Sequence, residues 1–338
     1  MQRVLDPAQI EAFGQRAIPR IRLPDPANIF SRRAARLRQL SEGHAVGDYL
    51  RLMAALADAQ QRALDALLGD GLGVAAGDAR PSAVEMREGA RAVFNARDAE
   101  RLRMAREHGM PPLQADGGSL DPHWRAVLFG LCDAIASTHG FPTTVADTCR
   151  RIRALPVETL EEQAELLLSV ASTGVDAQAA PFIMAALQVS WTHMMCSFSH
   201  DEVAEHIGGV DVPGVCPVCG TLPVASVVRA EQGYQGYRYL HCALCATEWH
   251  LVRIKCSHCE ITAGIHYHTI EGGSTAIRAE SCDQCRTYRK ICYQEHDMEV
   301  EPVADDLGSL SLDLLMTEAG FHRGSGNPLL WQAAEPTG

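Results

Sequence analysis

Aromatic residues are scarce in this 338-residue chain, only 6% of the total, and no apolar run is long and clean enough to read as a membrane span. The most apolar stretch, Ala179 to Cys196, is interrupted by Pro181, Gln188 and His193 and reads as a buried helix. No apolar core of signal-peptide length follows Met1, so no export signal is expected. The thiols are then expected to stay reduced in the cytoplasm, where paired cysteines signify metal before disulfide. Excess positive charge is missing too. With 30 Lys and Arg against 42 Asp and Glu, the net charge of −12 argues against a general affinity for nucleic acid or an anionic membrane surface. There is no Gly-rich phosphate loop and no convincing Ser/His/Asp or paired-carboxylate constellation, so no enzymatic activity is expected.

What the chain does have is cysteine, in register. Eight of its twelve cysteines form four Cys-x-x-Cys pairs: Cys216/Cys219, Cys242/Cys245, Cys256/Cys259 and Cys282/Cys285. Adding 40 to each cysteine of the first two pairs gives the last two, so the segment reads as two copies of one unit. Four thiolates per copy is the ligand count of a tetrahedral metal site, and two residues between ligands let a tight turn aim both sulfurs at one ion. The expected sets are Cys216, Cys219, Cys242 and Cys245, then Cys256, Cys259, Cys282 and Cys285; a cross-braced pairing of the first pair with the third is the alternative that repeat symmetry disfavours. Either zinc or the single iron of a rubredoxin-type site suits four sulfurs. Pro217 and Gly220 make the first turn the best formed, while Ala246, Glu260 and Arg286 stand where the other turns lack that glycine. The repeat extends to Gly233/Gly273, Arg238/Arg278 and Thr247/Thr287, and aligns Cys292 with Val252, a packed position.

Other candidates are weaker. Cys132, Cys149 and Cys196 lie in helical patterns and read as small hydrophobes. His193, Cys196 and His200 share helical spacing suited to a third site, against the plainer reading of partly buried imidazoles; His241 and His258 are expected beside the cysteine sites rather than in them. A thioredoxin-like dithiol would need one such pair at a strand-to-helix junction. A nucleic-acid-binding ribbon would need basic residues interleaved with Tyr234, Tyr237, Tyr239 and Trp249, whereas Asp211 to His296 carries eight basic and eight acidic residues.

The expected fold is α+β and multi-domain: an all-α domain over 1–207, a rubredoxin-like or zinc-ribbon module over 208–254, a second over 255–302, and a C-terminal helix and tail over 303–338 docking on the helical domain. Helical periodicity runs through Leu37 to Leu64; Asp121 as N-cap and Pro122 as N1 start a helix through Ile135, and Pro156 starts another through Val170 to Gly174. A further helix begins or kinks at Pro181 and ends near Gly208-Gly209, where the composition changes at a linker running to Gly214. Strands are expected at Leu222–Val228, Tyr237–His241, Trp249–Ile254, Ile265–Ile270 and Tyr288–Tyr293. The last helix spans Asp305 to Gly320, with Leu307, Leu310, Leu314 and Leu315 on its buried face.

With these residues in view, the chain resembles the formate dehydrogenase accessory protein family, FdhE. The likeness is carried by Pro24-Asp25-Pro26-Ala27 and Phe30 to Leu37, by Gly47-Asp48-Tyr49-Leu50, by Cys216-Pro217-Val218-Cys219-Gly220 with three further pairs, and by Asp305-Asp306-Leu307 through Asn327-Pro328. The resemblance implies a maturation factor that contacts the molybdenum- and selenocysteine-containing catalytic subunit of respiratory formate dehydrogenase in the cytoplasm, before twin-arginine export. It also favours iron over zinc. A rubredoxin-like redox protein is the alternative reading, and a zinc-ribbon nucleic-acid binder a more distant one.

Overall fold

The computed structural model describes residues 19–72, 96–116, 120–171, 173–196, 198 and 214–331. Seven helices of the described residues precede the cysteine repeats: α1 (Ile29–Ser41), α2 (Gly47–Leu72), α3 (Ala96–His108), α4 (His123–Ala136), α5 (Thr143–Arg153), α6 (Val157–Leu168) and α7 (Ala180–Cys196). Phe30, Ala34, Leu37 and Ser41 recur at helical spacing and bury one face of α1. In α7 every side chain from Ala180 to Val189 is buried, so this helix is the bundle's centre, as its all-round apolar character requires.

The repeats supply β2 (Pro223–Val228), β3 (Arg238–Cys242), β4 (Glu248–His250), β5 (Ile265–His268), β6 (Ile277–Cys282) and β7 (Thr287–Tyr293), followed by α8 (Pro302–Leu307), α9 (Leu310–Glu318) and β8 (His322–Arg323). Both repeats contribute to one sheet, which a short strand before α1, β1 (Ile21–Arg22), extends; its order is β1-β4-β3-β2-β7-β6-β5, with β8 beside β7. The joint is the parallel pairing of β2 with β7, in register Ser226 to Ile291 and Val228 to Tyr293. The first repeat also shares the helical core: Cys216, Val218, Cys219, Leu240, Cys242 and Cys245 pack in the same apolar cluster as Leu37, Leu56 and Val189.

Several expectations need correction. The region expected to be all-helical contains a strand, β1 (Ile21–Arg22), which pairs with β4. Pro122, not Asp121, takes the cap position of α4, although Asp121 Oδ1 still accepts a bond from the His123 N–H at 3.0 Å. Helix α6 stops at Leu168, and Val170 lies beyond it, exposed and at φ 55°. The strand expected over Trp249–Ile254 ends at His250, leaving Val252 and Ile254 exposed. β6 was not expected as a strand.

The tail is two helices, not one, broken at Gly308-Ser309. Leu314 and Leu315 face outward while Leu312 and Met316 are buried. α8 packs on the helical core through Val303, Ala304 and Leu307, whereas α9 lies on the second repeat, where Leu312 and Met316 meet Ile277 and Tyr288. The expected end of the α7 helix near Gly208, the linker over 208–213, and His200 lie outside the described residues.

Candidate metal centres

Each centre is built from two tight turns at one end of a β-ribbon. In three of the four turns, the N–H of the residue after the second cysteine bonds back to the carbonyl of the first: Gly220 to Cys216 at 2.8 Å, Glu260 to Cys256 at 3.1 Å and Arg286 to Cys282 at 2.9 Å. That residue is left-handed in all four, with φ of 78° at Gly220, 57° at Ala246, 64° at Glu260 and 57° at Arg286. Glycine takes this conformation freely; the other three hold it at a cost in strain.

The turns converge in sequential order. Cys216, Cys219, Cys242 and Cys245 place their sulfurs within 4.8 Å of one another, as do Cys256, Cys259, Cys282 and Cys285. Cys216 Sγ lies 3.6 Å from Cys245 Sγ and Cys219 Sγ 3.4 Å from Cys242 Sγ; in the second group the equivalent distances are 3.7 and 3.6 Å. A disulfide would bring sulfurs to about 2.05 Å, so these are not disulfides. A tetrahedral ion bound at about 2.3 Å from each sulfur has edges of about 3.8 Å, close to what is seen. The donor set therefore fits one tetrahedral soft-metal ion per cluster, with no open coordination position.

Polar groups of the turns lie against the sulfurs and offset part of the cost that burial sets on ionising them. The N–H groups of Leu244 and Cys245 point at Cys242 Sγ at 3.3 and 3.4 Å, and those of His258 and Cys259 at Cys256 Sγ at 3.4 and 3.5 Å. The repeat-related threonines lie beside the sulfurs as well: Cys245 Sγ donates to the Thr247 hydroxyl at 3.2 Å, and the Thr287 hydroxyl is 2.9 Å from Cys285 Sγ. Burial pushes the Cys216 thiol up. Burial opposes ionisation of Cys242 as well, yet hydrogen bonds from Cys216, Cys219, Cys245 and Thr221 hold it well below the ordinary thiol range. Burial likewise acts against Cys285, but the Thr287 hydroxyl and backbone bring it down to about 7.

The other sequence candidates fall elsewhere. Cys292 is fully buried among Val227, Tyr239 and Ile277, and Cys132 and Cys149 are buried in the helical core. His241 supports the first ribbon: it is buried, with Nδ1 3.1 Å from Glu248 Oε1, whereas His258 is exposed. His193 is half-buried on α7, its pKa lowered by that burial and by His123. Sequence reasoning missed Gln188. Its Nε2 donates to Ala243 O, inside the second turn, at 2.7 Å, while its Oε1 accepts from Gln60 Nε2 and Arg33 Nη1. A lone glutamine in the most apolar helix was the available signal.

Three family models cover the chain: FdhE N-terminal over residues 18–80 and 82–207, FdhE central domain over 215–253, and FdhE C-terminal domain over 254–330. The FdhE homolog of Cronobacter sakazakii is 38% identical over 332 residues, covering 97% of both chains. FdhE of Salmonella choleraesuis is 37% identical, covering 93% of this chain and 92% of that one. The crystal structure of the FdhE protein from Pseudomonas aeruginosa superposes with a TM-score of 0.73 at 35% identity, covering 93% of this chain and all of that one. Among the described residues, no helix is long and apolar enough to cross a membrane.

Proposed function

The chain belongs to the FdhE family, and on that premise we propose that it is a non-catalytic, metal-binding accessory protein for formate dehydrogenase. Its eight turn cysteines hold two ions, and it binds the catalytic subunit of the respiratory enzyme in the cytoplasm, before export. The observation that carries the metal part is the convergence of two closed four-sulfur groups. A closed tetrahedral site offers substrate no coordination position, which supports a role for the ions other than substrate activation, such as fixing the fold or carrying one electron. The contact face best supported runs from the end of the first repeat, where Val252 and Ile254 stand exposed, onto the second, where Ile261 and Tyr267 do. The Tyr267 hydroxyl donates to Arg253 O at 3.2 Å, tying β5 to the segment that carries Val252 and Ile254, and Cys256 N–H donates to Ile261 O at 2.9 Å across the turn that carries exposed Cys259. Large apolar groups left exposed on segments tied together in this way are candidates for an interaction surface.

Co-purification with the catalytic subunit, with metals counted in the complex, tests this reading. The expected result is a complex carrying two ions per accessory chain, weakened by Ile254→Asp with Tyr267→Asp. A metal-loaded protein that fails to retain the subunit overturns it.

Exposure of Cys259 favours a second reading, in which iron in the second site exchanges electrons with a partner. Protein purified without oxygen or added metal would then contain iron and show rubredoxin-like visible absorption. Zinc alone, with no such absorption, would remove this reading.

A further inference from the structure

The two cysteine clusters are alike in donors and unlike in surroundings. In the first, Cys216, Cys219, Cys242 and Cys245 are all at most 1% exposed and belong to the main apolar core. Its turns are clasped by the helical part of the chain. Leu113 N–H bonds to Val218 O at 2.9 Å and Ala115 N–H to Cys219 O at 3.0 Å, while Trp191 Nε1 bonds to Leu113 O at 2.9 Å. Gln188 holds Ala243 O from the other side.

In the second cluster Cys256 and Cys282 are buried, but Cys285 is half-buried and Cys259 is exposed, and none of the four belongs to an apolar core cluster. Its first turn carries Lys255–Glu260, an ion pair open to solvent, and is tied to the sheet by Arg289 Nε donating to Ser257 Oγ at 2.8 Å. Opening the first cluster means breaking main-chain bonds to the bundle and wetting the common core. Opening the second at Cys259 means moving one surface turn.

On the reading that both clusters take an ion, we propose that the second is an exchange site, able to pass its ion to and from a thiolate-bearing or chelating acceptor, while the first is a permanent structural site. The acceptor approaches from the Cys259 side. The bond from the ion to Cys259 Sγ breaks as a bond to the incoming donor forms, the freed thiolate takes a proton from water, and no electron moves. The remaining three cysteines follow in the same way, and the empty second ribbon stays attached through β2 and β7.

The test uses the full chain loaded with zinc, challenged with excess EDTA, with released zinc and helical circular dichroism followed together. Thiols freed at early times are trapped by alkylation and mapped by mass spectrometry. One equivalent should leave at least about tenfold faster than the other, a barrier difference of about 1.4 kcal/mol, with the helical signal unchanged. Early alkylation should fall on Cys256, Cys259, Cys282 and Cys285 and spare the first four. Cys259→Ser should remove the fast equivalent and keep the slow one. Release of both ions at one rate, early alkylation of Cys216 or Cys242, or helix loss with the first equivalent overturns the proposal. Protein that takes no zinc defeats the reading of both clusters as metal sites, and the exchange site falls with it. If only one ion is retained, protection of the Cys216 group supports the proposal and protection of the Cys256 group overturns it.

Discussion

Ala246, Glu260 and Arg286 sit in left-handed backbone where their side chains oppose it, and Gly220 sits there without opposition. All four follow the second cysteine of a pair, so the turn geometry, not residue choice, sets the conformation. The sequence shows the cysteine spacing that demands this turn but not the strain, because three of the four positions carry residues that rarely adopt it. Gly220→Ala imposes on the first turn what the other three already tolerate. A Cβ there would lie 3.5 Å from Pro111 Cγ, an ordinary contact, so the expected cost is the backbone term alone, about 1 kcal/mol in urea unfolding of the metal-loaded protein. A loss several times larger would show that the turn cannot accept a side chain. Gln188 makes the opposite case. Gln188→Leu fits the apolar helix better, yet it removes bonds made by Gln60, Arg33 and Ala243 O. The expected loss is about 2 to 3 kcal/mol, with faster zinc release from the first site. Unchanged stability and release would contradict the role assigned to it.

Among the elements, the strands and helices with plain apolar patterns were legible, and those stabilised by inward charge were not. β6 reads Ile-Arg-Ala-Glu-Ser-Cys, and its charged residues suggest a surface loop. Yet Glu280 is buried, met by Arg238 from β3, and Ser281 beside it is buried too, so two of the strand's polar positions are interior. The tail misled for the same reason. Asp313 points at the sheet, accepting from Tyr288 Oη at 2.8 Å and from Lys290 Nζ at 2.7 Å. That turns Leu312 and Met316 inward and leaves Leu314 and Leu315 outside. Asp306 completes this joint, bonded by Arg323 and by Asn327 Nδ2 at 2.8 Å, with Lys290 Nζ 3.4 Å away. Burial alone would raise its pKa, but Lys290, Arg323 and Asn327 together hold it below the usual carboxylate range. A depressed folded pKa contributes stability that is complete above the unfolded value, about 3.9, and is lost as pH falls through the lower folded one. Asp306→Asn should therefore destabilise the protein at neutral pH and flatten the acid limb of its stability curve below about pH 4. An acid limb identical to that of the parent would show that Asp306 does not carry this linkage.

At the scale of the molecule, the doubled cysteine unit suggested two ribbons standing side by side, each closed on its own ion. The structure fuses them. The parallel contact between β2 and β7 makes one sheet, and this could not be read from a repeat whose copies look self-contained. Arg238 is the bolt through that sheet. It is fully buried, donates to both oxygens of Glu280 at 2.7 and 2.9 Å and to Ser226 Oγ, and reaches the carbonyls of Arg253 and Lys255 in the connection between the repeats. Its repeat partner Arg278 is instead half-buried and stacks on Tyr293 with 4.6 Å to the ring centroid, so duplication supplied the arginine and the joint gave one copy a new task. A buried pair is strongly destabilising to break singly, because the survivor is left charged without a partner. Arg238→Met should cost about 3 to 5 kcal/mol in urea unfolding, while Arg238→Met with Glu280→Leu should recover much of that loss. If the joint acts through the sheet, the single variant should also loosen the second ribbon, speeding zinc loss there and leaving the first site's rate unchanged. Equal acceleration at both sites would mean that Arg238 stabilises the fold as a whole and does not fasten one repeat to the other.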